Sequence, residues 1–176
     1  MTILHTERTV VEVITLADAP FFVALLNSPG WLKFVGDRNV GDVGDAERYL
    51  DSGLLQSYRD NGFGYYLVKG AGTGTSIGIC GFLKKPNLEN PDFGFAFLPD
   101  YFGQGLAFES CCAVLEYGIK TFDFELLDAV TVPDNLRSIR LLEKLGFHRH
   151  GVLEADTGGD KLNLFRWHGA RHSTTA

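Results

Sequence analysis

The stretch LPDYFGQGLAFES, residues 98–110, sets Gly103 and Gly105 between a strand-like segment and a run that reads as a helix. A chain that enters a helix through so bare a turn exposes unpaired backbone N–H groups at the helix's positive end. That arrangement suits an anion. A Cβ at Gly103 or Gly105 would hold it off those N–H groups, and the anion best suited is a phosphate or pyrophosphate. A G-x-G turn also serves as a plain tight turn, so its context has to discriminate. No Gly-Lys-Ser/Thr follows, which excludes a Walker loop. Phe108 stands where a dinucleotide fingerprint needs its third glycine, and the strand before the turn belongs to a hairpin array rather than a βαβ unit.

The elements that must position this turn are read from periodicity and punctuation. RTVVEVITL is β-branched and predicts a strand. LADAPFFVALLN predicts a helix, with Asp18 as cap and Pro20 in its first turn, ending near Asn27, Ser28, Pro29 and Gly30. In GDAERYLDSGLLQSYRDNGF, Ala46, Tyr49, Leu50, Gly53, Leu54 and Tyr58 recur at helical spacing, with Asp45 as cap and Asn61-Gly62 as stop. GYYLVKGAGTGTSIGICGFLKK reads as two strands around a Gly/Thr turn, and DFGFAFLP as a third that Pro99 ends. LAFESCCAVLEYGIKTF is helical, ELLDAVTV a strand, and NLRSIRLLEKLGF an amphipathic helix stopped by Gly146. FHRHGVLEA and KLNLFRWHG close the order as strands around DTGGDK. The prediction is one α/β (α+β) domain over residues 1–169, with a disordered tail at 170–176. Its sheet is mixed, mostly antiparallel and seven-stranded, flanked by about four helices.

At 176 residues, 45% hydrophobic and 22% charged, the chain has the composition of a globular domain. Its net charge of -6 and pI near 5.3 give nucleic acid no general footing and lean towards a cationic or amine-bearing partner. The N-terminus carries acids and no clean apolar run, and no window approaches the roughly 20 apolar residues of a membrane span, so a cytoplasmic protein is expected. Cys80, Cys111 and Cys112 lack a CxxC spacing and read as small buried hydrophobes in a reducing compartment. His148 and His150 at i, i+2, with His168 and His172 later, are joined by no Cys or acid cluster, so no metal is expected.

The turn GQGLA at Gly103–Ala107, followed by NLRS with Asn135 and Ser138 and by EKLGF at 143–147, resembles the GCN5-related N-acetyltransferase (GNAT) superfamily. The similarity is to its RimJ/RimL-like branch, whose members acetylate ribosomal-protein N-termini, and it runs from TER and TLADA near the start to the last strand. It implies the GNAT acyl-CoA N-acyltransferase fold and acetyl-CoA as cosubstrate. It further implies that Gly103, Gln104, Gly105, Leu106 and Ala107 hold the pyrophosphate and that Asn135 and Ser138 contact the cofactor's other arm. In the family, a backbone N–H of the strand before the turn polarises the acetyl carbonyl, here around Phe97 and Leu98. Asp92, at the start of that strand, is the candidate base beside the plainer reading of a solvated strand-end acid. Glu154 and Asp156 are second candidates, with surface charge as their plainer reading. Ser138 is the candidate proton donor, because the last helix has Leu141 and Leu142 and no tyrosine. Two positions depart from the family's pattern: Asp100 stands where Gln or Arg is usual, and Glu12 replaces an arginine. An acid at position 100 must turn outward or weaken pyrophosphate binding. The expected function is acetyl transfer from acetyl-CoA to a primary amine, either a peptide N-terminus or a small amine. The alternative is a non-catalytic acyl-CoA-binding sensor. Related enzymes often dimerise, so a homodimer is among the states left open.

Overall fold

DFGFAF alternates rings with small or polar residues. As β5 (Asp92–Phe97) it sends Phe93, Phe95 and Phe97 into one core and Ala96 into another, on opposite faces of a sheet. The computed structural model describes residues 1–154 and 161–169, so Asp156, His172 and the expected tail at 170–176 lie outside the described residues.

Among the described residues the sheet has eight strands in the order β1-β2-β3-β4-β5-β6-β8-β7. β1 (Thr2–His5), β2 (Thr9–Val13), β3 (Tyr65–Gly70), β4 (Ser76–Leu83) and β5 pair antiparallel in sequence. β6 (Leu126–Thr131) meets β5 in parallel and pairs antiparallel with β8 (Lys161–His168), which pairs with β7 (His148–Glu154). One face carries α5 (Leu106–Phe122) and α6 (Leu136–Lys144) over Phe82, Phe93, Val114 and Phe147. The other carries α1 (Ala19–Leu26), α2 (Pro29–Phe34), α3 (Val43–Tyr49) and α4 (Leu55–Asn61), whose core holds Phe22, Leu25 and Trp31 with Leu67 and Ile79 of the sheet.

Two features correct the sequence reading. β1 is an eighth strand, paired to β2 through Leu4↔Val11 and His5↔Val10, where seven strands were expected. Pro29 and Gly30 do not end the helical region. Ser28 has extended backbone as N-cap and Pro29 opens α2, because proline at a first helical position has no N–H that needs a partner. The long helix expected before β3 is present but passes through a π-helical segment, Leu50–Leu54, between α3 and α4. α6 ends as its sequence predicts. Gly146 N–H donates to the Glu143 carbonyl and Phe147 N–H to the Leu142 carbonyl, with Leu142 and Phe147 both buried in the same core. Among the described residues no helix is long and apolar enough to cross a membrane, and no group of three His, Cys, Asp or Glu could hold a metal.

Candidate active site

β5 and β6 join at a single register pair, Asp92↔Asp128, where Asp128 N–H donates to the Pro91 carbonyl at 2.9 Å. Beyond it β6 keeps its ladder with β8 and β5 its ladder with β4, and Phe95, Ala96 and Phe97 line a cleft of about 630 Å³. The backbone of β5 has a direction within that cleft. Leu98 N–H donates to the Ile77 carbonyl at 2.9 Å on the β4 side. Antiparallel pairing alternates along a strand, so the N–H groups of Phe95 and Phe97 point to the opposite edge, the one β6 has left. This narrows the expectation for this pair: Leu98 N–H already has a partner, and Phe97 N–H faces the cleft.

The glycine turn closes one end. Gly103 and Gly105 have φ of +74° and +78°, conformations that L side chains rarely adopt, and Gly105 caps α5. Gly103, Gly105 and Ala107 line the cleft, whereas Gln104, Leu106 and Leu98 are not among its lining residues. Gln104 instead turns back, its side-chain amide donating to the Asp100 carbonyl at 2.8 Å. Asp100 is exposed and is not among the residues that line the cleft.

Arg8 ties the turn from behind. Its Nη1 donates to the Gln104 carbonyl at 2.9 Å and its Nε to Glu109 Oε2 at 2.7 Å, while its backbone N–H donates to Glu109 Oε1 at 2.8 Å. Thr6 Oγ1 adds a bond to the same oxygen at 2.6 Å. Partial burial alone would raise the Glu109 carboxyl, but the bonds from Thr6 and Arg8 outweigh it and hold it below the usual carboxylate range. The β1–β2 hairpin is thereby anchored to the first turn of α5.

α6 forms one lip of the cleft. Asn135 caps it, accepting from Ser138 N–H at 3.2 Å, and both residues line the cleft. Arg137, Arg140 and Lys144 line it too, a row of cations at i, i+3 and i+7. Arg137 also lies 3.9 Å over the Phe102 ring. The sequence reading missed this row, whose spacing was visible but which looks like the solvated face of any amphipathic helix. Another side of the cleft is α2 with the residues flanking it, contributing Ser28, Trp31, Phe34 and Val35.

The residues expected to move protons are not gathered in one place. Ser138 is half-buried on the α6 lip. Asp92 is 2% exposed at the root of the V between β5 and β6, and does not itself border the cleft. Its Oδ2 pairs with Lys85 Nζ at 2.8 Å and its Oδ1 has no partner. Burial pushes its carboxyl up, Lys85 draws it down, and neighbouring Asp128 pushes it up again, with a net rise. Glu154 is exposed at the far end of β7, in register with Lys161, and the fold does not bring it to the cleft.

Turn, cations and open strand edge together fit a ligand with phosphate at one end and an amide-bearing arm at the other. The model of the acetyltransferase (GNAT) domain matches residues 8–148. An uncharacterized N-acetyltransferase of Bacillus subtilis (strain 168), YoaA, is 28% identical over 154 residues, covering 86% of this chain and 85% of its own. A GNAT-family acetyltransferase structure from Bordetella pertussis superposes with a TM-score of 0.79 at 22% identity, covering 95% of this chain and 99% of that one. RimL, a ribosomal L7/L12 α-N-protein acetyltransferase in complex with coenzyme A, superposes with a TM-score of 0.81 at 15% identity, covering 96% and 98%.

Proposed function

Because the chain belongs to the acetyltransferase (GNAT) family and is an N-acetyltransferase, we propose that it moves an acetyl group from acetyl-CoA to a primary amine by direct attack. The observation that carries this reading is the parting of β5 from β6 after Asp92↔Asp128, which turns the Phe95 and Phe97 N–H groups into a cleft ending at the Gly103–Gly105 turn. Bound acetyl-CoA supplies an activated thioester. The backbone from Gly103 to Ala107 at the N-terminus of α5 takes the pyrophosphate, with Arg137, Arg140 and Lys144 adding charge from α6. Phe97 N–H is the donor to a carbonyl lying in the gap. Ser138 is the donor for a departing thiolate, a light task for a thiol that titrates near 8.5.

An amine must lose its proton before it attacks, and an alkyl ammonium titrates near 10, so the site needs a base. Asp92 is that base in our reading. Burial keeps its carboxylate more basic than an exposed one, and Oδ1 is free. Asp92 does not border the cleft, so this role requires a proton carrier between the amine and Oδ1. Glu154 has no part.

Calorimetric titration with acetyl-CoA, followed by thiol release in the presence of amines, tests the reading. Micromolar binding with amine-dependent release is the expected result. Binding without release on any amine would return the sensor reading, and absence of binding would overturn the site.

A further inference from the structure

The carrier that Asp92 requires has a place in the sheet. Tyr65 of β3, Gly81 of β4 and Gly94 of β5 stand in one register row, Tyr65↔Gly81 and Gly81↔Gly94. Partners in register project to the same face, and neither glycine has a side chain to stand in the path. Tyr65 reaches across it: a Cβ on Gly94 would overlap the phenol oxygen Oη and stand 2.9 Å from Cζ. The hydroxyl therefore ends where a side chain at position 94 would begin.

That spot lies between the base and the cleft. Residues two apart share a strand face, so Asp92, the Gly94 position and Ala96 follow one another in steps of about 7 Å. Asp92 is buried and Ala96 lines the cleft. Tyr65, Gly94 and Ala96 are each half-buried, so solvent reaches all three. On Asp92, Oδ2 is taken by Lys85 and Oδ1 has no partner. Burial holds the Tyr65 hydroxyl well above the usual tyrosine range, and Asp92, Tyr49 of α3 and Cys80 of β4 add to the rise. The phenol stays protonated and always has a proton to pass.

Resting on the acetyltransferase reading with Asp92 as base, we propose that the Tyr65 hydroxyl carries the proton from the acceptor amine to Asp92 Oδ1. The ammonium N–H gives its proton to Tyr65 Oη as the Tyr65 O–H proton passes to Oδ1. The phenol is neutral before and after, the carboxylate becomes a carboxylic acid, and the nitrogen keeps the electron pair that attacks the thioester carbonyl. Gly81 and Gly94 serve the reaction by leaving the phenol room.

Calorimetry with acetyl-CoA and thiol release by the wild-type protein come first, with 2-phenylethylamine, spermidine and a short peptide of free N-terminus as probes. No binding, or no release with any probe, removes the acetyl-transfer reading and this proposal with it. The probe turned over fastest is then used for Tyr65→Phe, which keeps the ring and deletes the hydroxyl. Its kcat at pH 7 should fall about 100-fold with acetyl-CoA affinity kept. The deficit should shrink as pH rises towards the amine's own range, about 8 for a peptide N-terminus and about 10 for an alkyl amine, where the nucleophile is already neutral. Gly94→Ala keeps the hydroxyl but sets a methyl against it, and should show the same loss and the same recovery. The double variant Tyr65→Phe/Asp92→Asn should lose no more than Asp92→Asn alone, because both residues act on one proton. A thermal melt checks that each variant is folded. A full kcat in Tyr65→Phe, a deficit that stays constant with pH, or additive losses in the double variant overturns the proposal while leaving acetyl transfer in place.

Discussion

Asp92 and Asp128 stand side by side as the register pair joining β5 to β6, two buried acids with separate counter-charges: Lys85 Nζ at 2.8 Å for Asp92 and Arg166 Nε at 2.7 Å for Asp128. Asn90 also donates to Asp128, through its side-chain amide at 3.1 Å. The cleft opens from this point.

Lys85→Met strands the Asp92 carboxylate. We expect a loss of about 1–3 kcal/mol at neutral pH, below the value for a fully buried pair because Lys85 is one-third exposed. The sign with pH follows from Asp92 being raised. Its contribution to stability is complete when the group is protonated in acid and is lost as pH rises through its folded value. Urea denaturation should therefore show a larger penalty for Lys85→Met at pH 7 than in acid. An equal penalty at both would mean Lys85 acts through packing alone.

Asp92→Asn removes the proposed base and should lower kcat by about 10²–10⁴-fold, the usual reach of general base catalysis, with acetyl-CoA affinity kept. In the wild type, the acidic limb of kcat/KM should lie above the ordinary Asp range of about 4, and Lys85→Met should move it higher. A full kcat in Asp92→Asn would reduce Asp92 to a structural acid.

Gly105→Glu places a carboxylate at the cap of α5, at a φ of +78° and with Cβ 3.3 Å from Arg8 Nη2. The backbone strain costs about 1–2 kcal/mol, so the fold should survive by circular dichroism. Acetyl-CoA affinity should fall by roughly 100-fold or more, as a negative charge occupies the anion's place. Unchanged affinity would show that the pyrophosphate lies elsewhere.

Arg8→Ala releases the Gln104 carbonyl and Glu109 together. The affinity for acetyl-CoA should drop about tenfold, while the KM for acetyl-pantetheine, which has no pyrophosphate, should not move. Glu109 is held below the usual carboxylate range, so its tether is complete above that range and is lost as pH falls through the folded value. In the wild type, acetyl-CoA affinity measured by calorimetry should decline in acid accordingly, and Arg8→Ala should flatten that decline. Equal losses for both thioesters would make Arg8 a general structural residue.

The parts legible in the sequence are those set by local residue type. Gly103 and Gly105 form the turn that opens α5, at positive φ, and Gly146 follows α6 as its stop. What was not legible depends on pairing across the chain. TILH has no pattern of its own and becomes β1 only because β2 offers an edge. Pro29-Gly30 is equally a stop or a start, and Ser28's extended backbone decides for a start. Arg8 lies 101 residues from Glu109, a separation no local motif spans. Whether Leu98 or Phe97 gives its N–H to the cleft is settled by which strand lies on each side.

The gap between β5 and β6 has a consequence for the life of the protein. Along Phe95 and Phe97 the sheet lacks the ladder that a fully paired strand would have, and in the proposed complex an extended ligand arm would supply it. A ligand that binds only the folded chain stabilises it by mass action, by about 2.7 kcal/mol at a hundred times its dissociation constant. Resistance to proteolysis would then track acyl-thioester supply, and the abundance of the protein would record the metabolic state of its cell.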